Sequence, residues 1–164
     1  MRGGLVIIAA VTCLASCEVE DPSQLRSGSP LRRRTSSAKA VVATGTTEAE
    51  KCFKVINAYR EQIGAKALKH WTKGESCADD SAKSDAASNT AHGSFPNCGE
   101  FAQNECPSYP SSVSENLPEC LADMWAEGRG GGHYDNMASS KYTEVACGIH
   151  ELPNGDFWSV QNFR

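Results

Sequence analysis

Six cysteines between residues 52 and 147 constrain the fold of this chain more than any other feature. The 164-residue sequence contains eight cysteines, and these six are Cys52, Cys77, Cys98, Cys106, Cys120 and Cys147. No Cys-x2-Cys pair typical of a zinc finger occurs in the sequence, so the even number indicates three disulfide bonds formed in an oxidising compartment. Many pairings are possible, and we favour only Cys98–Cys106, because it would close a short local loop.

The N-terminus has the pattern of an export signal. Arg2 precedes an apolar stretch from Leu5 to Ala15, which suits a signal peptide and is too short to span a bilayer. The sequence from Leu14 to Cys17 resembles a bacterial lipobox, which predicts a signal peptide over residues 1–17 and lipidation of Cys17. The alternative is ordinary cleavage after small residues, with Cys17 incidental.

Residues 18–47 are predicted to be a disordered tether. They are rich in Ser, Thr, Pro and Arg and contain few large apolar residues, so they bury too little surface to offset the entropy of ordering. The Arg32 to Arg34 run is interpreted as solvated linker charge in preference to the alternative, a contact with acidic headgroups or polymers. The remaining residues, 48–164, are net acidic and have no basic stripe, which argues against nucleic acid as a partner.

Helical periodicity marks the first part of the domain. Thr47 to Glu50 has the spacing of a capping box, and apolar residues recur at helical intervals from Phe53 to Ile63. A second helix is predicted over Glu75 to Ser88, where alanines recur every four residues. The stretch from Asn89 to Ser114 is rich in proline and glycine, and it is predicted to be mostly loop.

The C-terminal part changes from helical to strand periodicity. A third helix is predicted to begin near Asn116, with Pro118 in its first turn, and to end before the glycines at 128–132. Tyr142 to His150 and Phe157 to Phe163 then read as two strands joined by a tight turn. Helices followed by an antiparallel hairpin indicate an α+β layered domain.

Five short motifs occur in the order found in one known family. Together they resemble the CAP superfamily, the cysteine-rich secretory, antigen 5 and pathogenesis-related proteins, also called the SCP domain. The motifs are Asn57 to Arg60 (N-x-x-R), His92-Gly93 with Gly99-Glu100, Trp125 to Glu127, Gly132 to Tyr134, and the terminal hairpin with Ala146 to Gly148 and Trp158 to Phe163.

This resemblance implies a three-layer α-β-α sandwich over residues 48–164 with a C-terminal antiparallel hairpin. It also implies a cleft lined by His92, Glu100, Glu127 and His133. Imidazole and carboxylate are ligands that Zn²⁺ or another divalent metal accepts, so these four residues are the candidate metal site. Several members of the family bind sterols or other lipids on another face, and enzymatic activity is not a general property of the family.

Both candidate glutamates have competitors. Glu127 comes one residue earlier than the family's W-x-x-E spacing requires, a rotation of ~100° on a helix, and Asp123 is a weaker substitute. Glu100 follows a glycine as the family pattern requires. We therefore prefer it to Glu105, interpreted as a loop residue, and to Glu115, which lies too close to the third helix.

These observations predict an extracellular or cell-envelope protein anchored to a membrane as a lipoprotein. We expect a binding module that holds a divalent metal and recognises a lipid or sterol, an extracellular protein or peptide, or a glycan. The alternative is a metal-dependent or His/Glu-based hydrolase, either a peptidase or an esterase, in which Ser94 is a possible nucleophile. A non-enzymatic role is favoured, but the sequence leaves the question open.

Overall fold

The computed structural model describes residues 40–164, in which there are four helices and four strands. In chain order these are α1 (Glu48–Gln62), β1 (Lys69–His70), α2 (Thr72–Ser88), β2 (Ala102–Tyr109), α3 (Val113–Ala126), α4 (Gly132–Ala138), β3 (Glu144–Glu151) and β4 (Phe157–Phe163). The predicted signal peptide, Cys17 and the tether up to residue 39 lie outside the described residues.

The strands form one mixed sheet in the order β1-β3-β4-β2. β3 and β4 pair antiparallel from Val145 opposite Phe163 to Glu151 opposite Phe157, so the predicted C-terminal hairpin is confirmed. β1 pairs in parallel with β3 at one edge, and β2 pairs antiparallel with β4 at the other. β2 is therefore an edge strand, and the candidate site lies along it.

Helices cover both faces of the sheet. α2 packs on one face of β3 and β4, where Gly148 permits close approach because a Cβ at this position would collide with the main chain of Ala78. α1, α3 and α4 lie on the other face, around a core that includes Tyr59, Leu121 and Phe163. The predicted α+β three-layer sandwich is thereby confirmed. No helix of residues 40–164 is long and apolar enough to cross a membrane.

Three disulfide bonds connect the helices to the sheet and its loops. They join Cys52 to Cys147, Cys77 to Cys98 and Cys106 to Cys120. The number of bonds agrees with the sequence, but the pairing of Cys98 with Cys106 is wrong. Cys98 packs with the cluster beside α2, whereas Cys106 belongs to the cluster on the opposite face of the sheet, so each bonds to its nearest helix.

Two other predictions in this part of the chain also need correction. The stretch from Asn89 to Ser114 contains the eight-residue strand β2, which was expected to be loop. The third helix begins at Val113 after Ser112, so Asn116 is an internal helical residue and Pro118 lies inside the helix. Both errors arise because polar residues lie in a buried edge strand and inside a helix. In the sequence such residues indicate a loop or a helix cap.

The end of the predicted tether packs on the domain. Ala40, Val41 and Ala43 are partly buried against the core, and the Val41 N–H donates to the Tyr59 hydroxyl at 3.3 Å. Lys54 Nζ donates to a main-chain oxygen in the same segment at 2.9 Å. The predicted boundary between tether and domain at residue 47 is therefore too late, because the short apolar run from residue 40 to 43 packs against α1.

Candidate functional site

Glu127 and His133 lie together at the corner between α3 and α4. Glu127 is the C-cap residue of α3, its Oε1 is 2.6 Å from His133 Nδ1, and its Oε2 accepts a 3.0 Å bond from the His133 N–H. Trp125 stacks on Tyr59 and packs at a tilt against Tyr134, which holds the end of α3 against the start of α4. The one-residue offset from the family spacing therefore does not separate Glu127 from His133.

His92 lies in the loop after α2, in a left-handed main-chain conformation with φ of 60°. Its Nδ1 is 2.8 Å from Gln103 Oε1, and Gln103 Nε2 donates to Asn162 Oδ1 at 3.0 Å. Because the amide nitrogen is already directed at Asn162, the amide oxygen accepts the Nδ1 proton of His92. This tautomer leaves Nε2 of His92 as an acceptor, on a side chain that is 44% exposed.

Two buried carboxyl groups lie beneath the His92 loop. Glu105 has a fully buried side chain, and its Oε2 accepts a 2.5 Å hydrogen bond from the His92 N–H. Asp85 is also buried, and its Oδ1 accepts a 2.7 Å bond from the Ser94 hydroxyl. Burial raises the pKa of Glu105 to about 7; the negative charge of Asp85 acts in the same direction, and the bond from His92 opposes it. The interpretation of Glu105 as a loop residue is wrong, because it belongs to β2.

Glu100 does not join these residues. It is 3% exposed, and its Oε2 accepts a 2.8 Å bond from the Cys98 N–H, while Oε1 has no partner in the described part of the chain. Gln103 lies beside His92 instead. The sequence did not predict this, because an uncharged amide in a stretch predicted to be loop matches no pattern of a functional site. Once β2 is known to be a strand, its period of two puts Gln103 and Glu105 on the same face.

Amide side chains hold α4 against the edge strand β2. Asn104 Nδ2 donates to the main-chain oxygen of His133 at 3.0 Å, and Asn136 Nδ2 donates to Asn104 Oδ1 at 2.9 Å. Asn136 Nδ2 also lies 3.4 Å from the main-chain oxygen of Gln103. These bonds bring the His133 corner and the His92 loop to one edge of the sheet.

A pocket of about 370 Å³, which we call the cleft pocket, opens at this edge. Its polar wall includes His92, Gln103 and Asn136, and its rim includes Phe95 and Phe101. Phe101 is 75% exposed and Phe95 is 39% exposed. Large exposed aromatic side chains beside a few convergent polar groups are typical of a ligand-binding surface.

The four-residue metal centre implied by the family is not assembled. Among residues 40–164, no three histidine, cysteine, aspartate or glutamate side chains form a group able to hold a metal ion. The two imidazoles instead have separate partners: the amide of Gln103 for His92 and the carboxylate of Glu127 for His133. The described residues therefore do not fit a His₂Glu₂ metal site.

The fold and the sequence together place this chain in a known family. Residues 53–163 match the model of CAP, the cysteine-rich secretory protein family. This match spans more than half of the chain, so the protein belongs to the CAP family, as the sequence motifs predicted. Membership and three disulfide bonds are typical of an extracellular protein.

A solved structure supports the same fold. The chain is similar to venom allergen-like protein 4 of Schistosoma mansoni, with a TM-score of 0.51 and 14% sequence identity, over 73% of this chain and 88% of that chain. At this identity the similarity concerns the fold alone. The comparison with curated proteins gave no match.

Proposed function

We propose that this protein is an extracellular binding module that holds a glycan in the cleft pocket. The observation that carries the proposal is the pair of exposed aromatic side chains, Phe95 and Phe101, beside the amides of Gln103 and Asn136. A sugar ring has an apolar C–H face that stacks on aromatic rings and an edge of hydroxyl groups that both donate and accept. The cleft pocket offers surfaces for both.

The hydrogen-bonding capacity of the polar wall supports this ligand class. His92 Nε2 remains as an acceptor, and Asn136 uses its amide nitrogen within the protein, which leaves its Oδ1 to accept from a ligand. One amide proton of Gln103 remains after its bond to Asn162. A fatty-acid or sterol ligand would leave these groups desolvated without partners, at a cost of about 1–3 kcal/mol for each.

The test is a glycan-array screen followed by calorimetry of the best ligand. Replacing Phe101 by Ala should weaken binding by roughly tenfold or more, because a stacked ring contributes about 1.5 kcal/mol or more. Ile63→Ala is the matched control, since Ile63 is also a large exposed apolar residue, at 47%, but does not line the cleft pocket. Equal affinity for wild type and Phe101→Ala, or capture of only lipid or peptide, would exclude the glycan.

Zinc binding is a separate prediction. Each motif histidine has its Nδ1 engaged by an oxygen, the arrangement that orients an imidazole to offer Nε2 to a cation. No group of three ligand side chains surrounds either imidazole among residues 40–164, so we expect Zn²⁺ affinity well below that of a four-ligand centre. Calorimetry should detect uptake that is lost in His92→Ala with His133→Ala. Unchanged uptake in this double variant would remove both residues from any metal site.

The hydrolase alternative has less support. Ser94 is 7% exposed, and its hydroxyl donates to Asp85, so it is neither accessible nor bonded to a histidine base. We therefore expect no turnover of a peptide and ester panel, with or without added Zn²⁺. Chelator-sensitive turnover of any member of the panel would reverse this assignment.

The lipid anchor at Cys17 also remains a prediction. A lipobox cysteine would carry a diacylglycerol group and become the mature N-terminus, so the domain would be held near a membrane by residues 18–39. Mass spectrometry of protein extracted from membranes should identify the modified Cys17, and a soluble unmodified chain would refute the anchor.

A further inference from the structure

A second cavity carries an unusual concentration of positive charge for an acidic domain. This basic pocket has a volume of about 390 Å³ and is lined by Arg60, Lys66, Lys69, Ser140, Tyr142 and Thr143, with Ala67 beside them. It lies between the end of α1, the segment leading into β1, and the segment that follows α4. It is distinct from the cleft pocket, with which it shares only Tyr142.

Arg60 forms the buried wall of the basic pocket. It is 1% exposed, and its guanidinium donates to main-chain oxygens of Lys66 at 2.6 and 2.9 Å, Met137 at 2.7 Å and Ser139 at 2.8 Å. Within residues 40–164 no carboxylate lies within ion-pair distance of Arg60. The carbonyl oxygens at the end of α4 offset part of the charge, but a buried cation without an anionic partner is unfavourable.

The two lysines add charge that is likewise not neutralised. Neither Lys66 nor Lys69 forms an ion pair with any residue of the described chain. The nearest acidic side chain in the sheet register, Glu144, is opposite Lys69, but its Oε2 accepts from Arg164 Nε and Nη2, both at 2.7 Å. The carboxylate of Glu144 is therefore already committed to Arg164.

We propose that the basic pocket binds a phosphate or sulfate group carried by a larger ligand. A tetrahedral oxoanion has several acceptor oxygens, and the pocket is lined by two lysines, the hydroxyl-bearing Ser140 and Tyr142, and Arg60, whose guanidinium has one N–H left. The Thr143 hydroxyl already donates to the main-chain oxygen of Arg164 at 3.5 Å. The cavity is larger than one such group, so the remainder of the ligand occupies the rest of it. This site does not depend on the proposed glycan in the cleft pocket.

The experiment measures binding of inorganic phosphate and of sulfate to the full chain by calorimetry. Lys66→Ala with Lys69→Ala should weaken binding by roughly tenfold or more, because each lost charge-assisted hydrogen bond is worth more than a neutral one. Both lysines are exposed, so this variant keeps the fold, which circular dichroism verifies.

The matched control is Lys73→Ala with Lys83→Ala. These lysines are also exposed, but they belong to α2 and do not line the basic pocket. Their replacement removes the same amount of charge. Affinity should change by no more than about twofold in the control, because screening limits the effect of distant charges. Equal losses in both double variants, or no binding of either anion by the wild type, would overturn the proposal.

A second arm distinguishes the two sources of phosphate. Flotation is measured with phosphatidylcholine vesicles that contain or lack phosphatidic acid. Binding to phosphatidic acid that is lost only in the Lys66 and Lys69 variant identifies a lipid headgroup. Binding of inorganic phosphate or sulfate without flotation identifies a soluble ester, and either result supports the site.

Discussion

Replacing Glu105 by Gln should remove a pH-dependent cost to folding. In the folded protein the Glu105 side chain is fully buried beside Asp85, and a side-chain hydrogen bond between the two carboxyl groups favours the protonated form of Glu105. Glutamine keeps the shape and retains an oxygen to accept from the His92 N–H. It cannot ionise, and its amide nitrogen can donate to Asp85 in place of the carboxyl proton of Glu105.

The size of the effect follows from the raised pKa. Glu105 ionises at about 7 when folded and at the ordinary value of 4.5 when unfolded. Between these two pH values the folded state holds the extra proton, so the free energy of unfolding falls as pH rises. The cost is absent below pH 4.5 and complete above pH 7. At about 1.4 kcal/mol per pH unit it reaches about 3 kcal/mol.

The assay is urea denaturation of wild type and Glu105→Gln over a series of pH values. The variant should match the wild type near pH 4 and be more stable by about 3 kcal/mol at pH 8. Glu115→Gln is the matched control, because Glu115 is exposed on α3 and its variant should show no such pH-dependent gain. A difference between Glu105→Gln and wild type that does not grow with pH would refute the reasoning.

Three further predictions concern stability. Replacing both Cys52 and Cys147 by Ser should lower the free energy of unfolding by about 4.7 kcal/mol. Removing the Cys106–Cys120 disulfide, with a sequence separation of only 14, should lower it by about 3 kcal/mol, because closing the longer loop removes more entropy from the unfolded chain. Urea denaturation under non-reducing conditions compares the two variants. Gly148→Ala should lower the melting temperature strongly or prevent folding, because the methyl group meets the main chain of α2. Arg60→Met should destabilise the domain by about 3–5 kcal/mol, since three main-chain carbonyls lose their donor. A free energy of unfolding within about 1 kcal/mol of the wild-type value would contradict this stabilising role of Arg60.

Local signals in the sequence predicted the elements whose stabilising contacts are close in sequence. The predicted cap of α1 is present, with Thr47 Oγ1 accepting from the Glu50 N–H at 3.1 Å, although the Glu50 carboxylate accepts from Thr46 and not from Thr47. The β3–β4 hairpin follows from alternation around a tight turn. β2 was missed because its buried residues include Gln103, Asn104 and Glu105. A strand whose interior is polar has no hydrophobic alternation to detect.

The candidate site likewise combines residues that local motifs predicted with one contact that only the strand register determines. His92, His133 and Glu127 lie in motifs with recognisable neighbours, and the structure brings Glu127 and His133 into contact. The partner of His92 could not be read from the sequence, because it depends on the register of β2 beside β4. That register places Gln103 opposite Asn162, and their side-chain amides bond each other.

The same register determines the charge of the cleft around His92. The group bonded to the imidazole is the neutral amide of Gln103, while the Glu105 carboxyl lies farther away, with Oε2 3.8 Å from His92 Nδ1. The acidic side chain beneath, Glu105, has its pKa raised to about 7, so a large fraction of it is protonated at neutral pH. The carboxyl nearest to His92 is therefore partly neutral, and hydrogen bonding to Gln103 is the main polar interaction on this side of the cleft. This condition favours an uncharged, hydroxyl-rich ligand over a metal ion.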